Sequence, residues 1–205
     1  MEFDSNLFAS RSHLDPVRLA DTLKLVHRIP ASGLGSAEWD PLGGLERGID
    51  TAYALDVADR RWLHTHLAEL RGRWKGLPEG RSRCVIHGTI GIDGVLTGAD
   101  DCAEPPDSGS PTVGPPEWDL VPVAMAYWSF GWLTTPQYVA FCQTYGQDVA
   151  RSGRYYLLRD IQEFAMTIAA ARTTGNGRHH SQAVRRLASI RGDIGPRPWP
   201  GWVPI

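Results

Sequence analysis

A chain of 205 residues and 22.6 kDa reads as one domain, or one lobe of a larger fold, and is long enough to fill a core. Charged residues make up 21% and the formal net charge is −2, which argues against a basic surface for nucleic acid. Cys84, Cys102 and Cys142 are odd in number and widely spaced, so a reduced, cytoplasmic setting is expected rather than a disulfide framework. The opening MEFDSNLFAS has neither a basic n-region nor an apolar h-region, and no run reaches membrane-spanning length, so no membrane partner is expected.

Asp15 can cap a first helix, Pro16 suits its first turn, and Val17, Ala20, Leu23 and Val26 mark one face before Pro30 stops it. A loop with Gly33, Gly35 and Pro41 follows. Leu42, Leu45, Ile49 and Ala52 suggest a second, short helix. Asp56, with Asp59 three residues on, resembles a capping-box variant that opens a third helix through about Trp74. Its apolar positions are Trp62, Leu63, Leu67, Leu70 and Trp74, and Gly76 with Pro78 closes it.

The middle of the chain changes character. Residues 84–86 and 95–97 are short strand candidates flanking a loop at 89–94. Residues 98–116 hold five prolines and three glycines, and are expected to be irregular. A loop that long in a compact domain points to a functional segment or a decayed one. Helical patterns return at 120–130, at 135–145 with Pro136 in the first turn, at 155–172, and at about 180–191 before Gly192. The tail from 193 to 205, ending GPRPWPGWVPI, is expected to be extended. Its tryptophans should pack back onto the body or onto a partner; the eight tryptophans as a group read first as core and docking anchors. There is no internal repeat, and 1–205 reads as a single domain.

Two stretches carry the functional reading. One is His87-Gly88-Thr89-Ile90-Gly91-Ile92-Asp93-Gly94, after a short apolar run; the other is Gly114-Pro115-Pro116-Glu117-Trp118-Asp119-Leu120. Together they resemble the aminoglycoside phosphotransferase and choline kinase family, whose C-terminal lobe carries HGDxHxxN, a strand ending in DxD, and GPxEWDL. The likeness runs along almost the whole chain without a gap between the motifs. LADTLKLVHRIP (19–30) is similar to the helix after the hinge, DRRWLHTHLAELRGRW (59–74) to the helix before the catalytic loop, and LLRDIQEFAMTIAAART (157–173) to a late helix on the acceptor side.

The resemblance implies a mainly α fold with a small β element, the helical C-lobe of a protein-kinase-like phosphotransferase with its N-lobe absent. No Gly-rich loop followed by a phosphate-holding lysine is found, and a naturally short chain is the expectation, although Glu-Phe after Met1 is compatible with a cloning scar. The catalytic loop departs from the family pattern. Thr89 stands where the family has its general-base aspartate, Gly91 where a histidine is common, and Gly94 where an asparagine would ligate the metal. Asp107 falls on the first aspartate of the metal-binding DxD, but Gly109 takes the second place. The strand that would present Asp107 reads Ala103-Glu104-Pro105-Pro106, and proline cannot donate to a sheet ladder. Losing a general base alone costs about 10²–10⁴ in rate. Neither ATP and magnesium binding nor another cofactor is therefore expected.

What the resemblance leaves in place is structural. Asp119 would brace the catalytic-loop backbone, supported by His87 and Trp118. Trp118, Asp160 and Glu163 line the side where the family forms an acidic acceptor pocket, so the two carboxylates could take a cationic group. The first reading, though, is as surface ion pairs with Arg159 or Arg172. The expected function is that of a catalytically degenerate, pseudokinase-type module that binds a small molecule or a protein partner. Apolar surface left by a missing lobe points to a homo-oligomer or a partner subunit. Two alternatives stand beside it: an enzyme that reuses the cleft for other chemistry in a specialised pathway, and a phosphotransferase completed in trans by another chain.

Other chemistries are weaker. His64 and His66 sit two apart on a helix and face different ways, which disfavours a shared metal. His179-His180 reads as a solvated helix start. Cys84 should be buried and inert, and acidic neighbours should raise the pKa of Cys102. No nucleophile elbow with a Ser/His/Asp order is present.

Overall fold

Helix α1 (Pro16–His27) begins at a side-chain cap: Asp15 Oδ1 accepts the main-chain N–H groups of Val17 and Arg18 at 3.0 and 3.3 Å, and Pro16 occupies the first turn. The computed structural model describes residues 15–29, 31, 39–77, 83–88, 112–173 and 177–203. The buried side of α1 is Pro16, Ala20 and Leu23, while Val17 is exposed. α2 (Leu45–Asp50) is one short turn-and-a-half, and α3 (Val57–Lys75) starts where Asp56 Oδ1 accepts the Asp59 N–H at 2.7 Å. Leu63, Leu67 and Leu70 form the buried ridge of α3 at the spacing its sequence predicts.

β1 (Cys84–Ile86) and β2 (Thr112–Gly114) pair antiparallel, with Cys84 opposite Gly114, Val85 opposite Val113 and Ile86 opposite Thr112. β2 corrects the expectation of an irregular stretch through 116. Two β-branched residues, Thr112 and Val113, pair with β1, and Gly114 ends the strand. A Cβ on Gly114 would lie 2.5 Å from Ile86 Cδ1 and 3.2 Å from the Trp39 ring, so only glycine lets these side chains close over the strand. The strand expected at 95–97 and the loop at 89–94 lie outside the described residues.

α4 (Glu117–Trp128) starts three residues before the expected boundary and is buried on every side from Asp119 to Ala126. A helix apolar all round belongs in the centre of a core. Pro122 lies inside it and cannot donate to the Trp118 carbonyl. That acceptor is met instead by Gln162 Nε2, 2.9 Å away on a neighbouring helix. α5 (Thr135–Tyr145) ends at Gly146, which takes the left-handed conformation at φ +94°. A 3₁₀ turn at Val149–Arg151 leads into α6 (Tyr155–Arg172). α7 (Gly177–Arg191) begins three residues earlier than its sequence pattern suggests.

The described elements therefore form a mainly helical fold with a small two-stranded antiparallel sheet. Its core divides into two apolar clusters. One gathers α1, α4, α5 and the tail around Leu23, Met125, Phe130, Phe141 and Trp202. The other gathers α2, α3, α6 and α7 around Ile49, Leu67, Phe164 and Leu187; Trp74 and Trp118 pack against both.

The tail is part of the body. Trp199 and Trp202 are buried, Trp202 Nε1 donates to Ser189 Oγ at 2.8 Å, and Trp132 Nε1 donates to the Trp202 carbonyl at 3.0 Å. The buried Arg186 lies 5.1 Å from the Trp202 ring centre and donates to the Met166 and Val203 carbonyls. Gln182 brackets the same strand of chain, donating to Gly201 O and accepting from the Val203 N–H. Among the described residues, no helix is long and apolar enough to cross a membrane.

Candidate functional site

Asp119 stands in the first turn of α4, where a carboxylate normally serves its own helix N-terminus. Here it reaches across to the end of β1. Oδ2 accepts the His87 N–H at 2.7 Å and Oδ1 accepts the Gly88 N–H at 3.0 Å. His27 Nε2, from the last turn of α1, lies 3.0 Å from Oδ2. The Asp119 side chain is wholly buried and that of His27 nearly so. An ionised carboxylate only accepts, so Nε2 carries the proton on His27. In the neutral ring Nδ1 then accepts from the Tyr145 hydroxyl, 2.8 Å away. Burial, with the nearby Cys84, Asp119 and Glu117 charges adding to it, pushes the Tyr145 hydroxyl up to about 12 and keeps its proton in place.

The turn that Asp119 grips needs its glycine. Gly88 has φ +78°, a conformation that costs a side chain dearly, and the Thr112 methyl sits 3.6 Å from where a Cβ would be. Trp118 Nε1 closes the grip from the other side by donating to the Gly88 carbonyl at 2.9 Å. Its ring meets Trp39 edge-on at 4.8 Å, and Trp39 meets Trp74 edge-on at 5.6 Å. With Gln162 on its own carbonyl, Trp118 is held at both ends. Chemically, a buried carboxylate with two amide donors and an imidazole donor has three of its about four acceptor sites occupied. It holds a backbone turn.

The remaining sequence candidates fall elsewhere. Thr89, Gly91, Gly94, Cys102 and Asp107 lie outside the described residues. Asp160 and Glu163 do share one face of α6, but neither is an open surface carboxylate. Asp160 meets Arg73 at 2.9 Å, Arg159 at 2.8 Å and Arg197 at 3.4 Å. Glu163 is fully buried and paired with Arg197 through both oxygens, and Ser129 Oγ donates to its Oε1 at 2.7 Å. Of the two arginines expected as partners, Arg159 meets Asp160; the other contributors are Arg73 and the tail residue Arg197. Burial works against the Arg197 charge, yet the Glu163 hydrogen bond and charge outweigh it and raise its pKa.

His64 and His66 contact separate carboxylates, Asp50 at 3.1 Å and Glu69 at 3.0 Å. Among the described residues no group of three His, Cys, Asp or Glu side chains is arranged to hold a metal ion. The Cys84 thiol is pushed up to about 11, by burial first and then by Asp119 and Glu117. Burial likewise raises Cys142.

His27, Tyr145 and Arg197 are the residues that sequence reasoning did not single out. No local signal marks them. His27 reads as an ordinary helix-end histidine and Arg197 as one more tail charge, because their partners lie 92 and 34 positions away. No protein-family model, no curated protein and no solved structure matches the chain.

Proposed function

We propose that this chain is a binding module built on the helical lobe of an aminoglycoside phosphotransferase-like scaffold, holding a small molecule or a protein partner without transferring phosphate. The observation that carries the reading is the grip of Asp119 on the His87 and Gly88 N–H groups, completed by Trp118 on the Gly88 carbonyl. A turn of this kind, fixed by a buried carboxylate from the next helix, suits a position where a scaffold must present the residue that follows. In a phosphotransferase that residue would be an aspartate; here it is Thr89, whose hydroxyl cannot serve as the base. Gly94 brings no metal-ligating side chain either. The brace is thus kept where the reactive groups are not.

Calorimetric titration with Mg-ATP tests the reading directly. The expected result is no saturable heat at concentrations up to about the millimolar range in which such enzymes bind substrates. Tight Mg-ATP binding would refute it. Thr89→Asp by itself is expected to leave ATP turnover at background, because position 94 still lacks a metal ligand; turnover by that variant would also count against the proposal.

A further inference from the structure

On the face made by α7 and the tail, the helix residues His180, Ser181, Val184, Arg185 and Ala188 recur at helical spacing and line one side of a groove of about 610 Å³. Ile194 and Gly201, from the segment after the helix, also line it. None of these residues belongs to the Asp119 cluster, so the groove stands independently of the function proposed above.

Three features converge there. The first is apolar surface left in the open: Val184 and Ile194 are each 49% exposed, beside Ala188. The second is charge. α7 reads GRHHSQAVRRLASIR, with no acidic residue along its whole length, and among the described residues no carboxylate lines the groove. Arg186 is buried against the tail and Arg191 is paired with Asp59 at 2.7 Å, whereas Arg185 has no ion-pair partner among the described residues. The third is the placement of that guanidinium. Arg185 lies so close over Gly201 that a Cβ on that residue would be 2.4 Å from Nη1 and 3.0 Å from the guanidinium carbon. The absent side chain gives the guanidinium a seat on the tail backbone at the groove wall. The tail strand itself is pinned on either side of the seat by Gln182.

We infer that this groove binds an amphipathic organic anion, a carboxylate with an apolar body. The carboxylate would meet the Arg185 guanidinium, with the His180 imidazole on the same wall, and the body would cover Val184, Ala188 and Ile194. Charge complementarity selects this occupant: an apolar cation would meet an unpaired arginine, and a fully polar anion would leave the apolar floor uncovered. A groove of this volume has room for a small molecule, with part of the ligand left facing solvent.

Decanoate is the test probe, titrated into the full chain by calorimetry, with decyltrimethylammonium and acetate as the charge and tail controls. Saturable one-to-one binding of decanoate below about 1 mM is expected, with neither control binding in that range. Arg185→Glu should weaken decanoate at least about tenfold, the loss typical of a charge-assisted hydrogen bond, while Arg185→Lys should lie between that variant and the parent. Ala188→Trp, which fills the floor, should abolish binding. Both altered positions face solvent or the groove, and thermal melts confirm that each variant is folded; should Arg185→Glu not fold, Arg185→Gln replaces it. No decanoate binding below about 1 mM, equal binding of the alkylammonium, or unchanged affinity in folded Arg185→Glu would each overturn the inference.

Discussion

Replacing Arg197 by alanine should destabilise the protein far more than its place near the chain terminus suggests. The guanidinium holds both oxygens of Glu163, a carboxylate whose side chain is 1% exposed, and reaches Asp160 at 3.4 Å. Its removal leaves Glu163 buried with the Ser129 hydroxyl at 2.7 Å and Arg159 at 3.9 Å. Breaking a buried pair by deleting one partner costs about 3–5 kcal/mol, chiefly from the charge left behind. Arg197 is 29% exposed and Arg159 can move closer, so the lower end, roughly 2–3 kcal/mol, is expected. Deleting the other partner should cost less. Glu163→Gln keeps the Ser129 contact and leaves Arg197 its water-facing edge, its contact with Asp160 and its stack on Trp199 at 4.3 Å. That variant should lose about 1–2 kcal/mol. Changing both residues to methionine should recover most of the loss, since a dry apolar pair of similar volume often equals a buried ion pair. Urea unfolding of the three variants measures all of this. Arg197→Ala costing less than about 0.5 kcal/mol, or costing less than Glu163→Gln, would refute the reasoning.

Two further outcomes follow from the cluster around Asp119. Asp119→Asn keeps one acceptor but turns an NH₂ group toward donors. It should cost about 2–4 kcal/mol by urea unfolding and strip exchange protection from the His87 and Gly88 amides, whereas retained protection would show that the turn holds without the carboxylate. The second concerns alkaline pH. The folded Cys84 thiol ionises near 11, against an ordinary value of 9.0, so the unfolded state loses its proton first. The stability this represents is intact below about pH 9 and is lost as pH rises from there through about 11. Wild type should therefore fall relative to Cys84→Ala in thermal melts across that window; a difference that stays flat with pH would show the thiol is not buried as described.

The helical skeleton could be read from the chain because its signals are local. α5 and α6 fall on their predicted boundaries, each within a few residues of proline, glycine or apolar-periodicity cues that act over one or two turns. Asp15 and Asp56 cap the helices their positions announce. Local rules failed where a distant group changed the outcome. Residues 112–114 sit among prolines and glycines, yet they form a strand because β1 supplies a ladder and Gly114 admits Ile86 and Trp39. α4 carries a proline at 122 and still runs through it, because Gln162 takes the carbonyl that the proline cannot serve.

The same division holds at the site. By itself the sequence determined that an EWDL aspartate follows a His-Gly pair, that threonine and glycine stand at positions 89 and 94, and that Asp160 and Glu163 share a helix face. These are properties of residue identity and spacing along the chain. Only the tertiary structure decided what those carboxylates do. It spends Asp119 on two backbone amides and His27, and Glu163 on a tail arginine. A carboxylate's role depends on which donors reach it and whether water does, and both are fixed by packing between segments 31 to 92 positions apart.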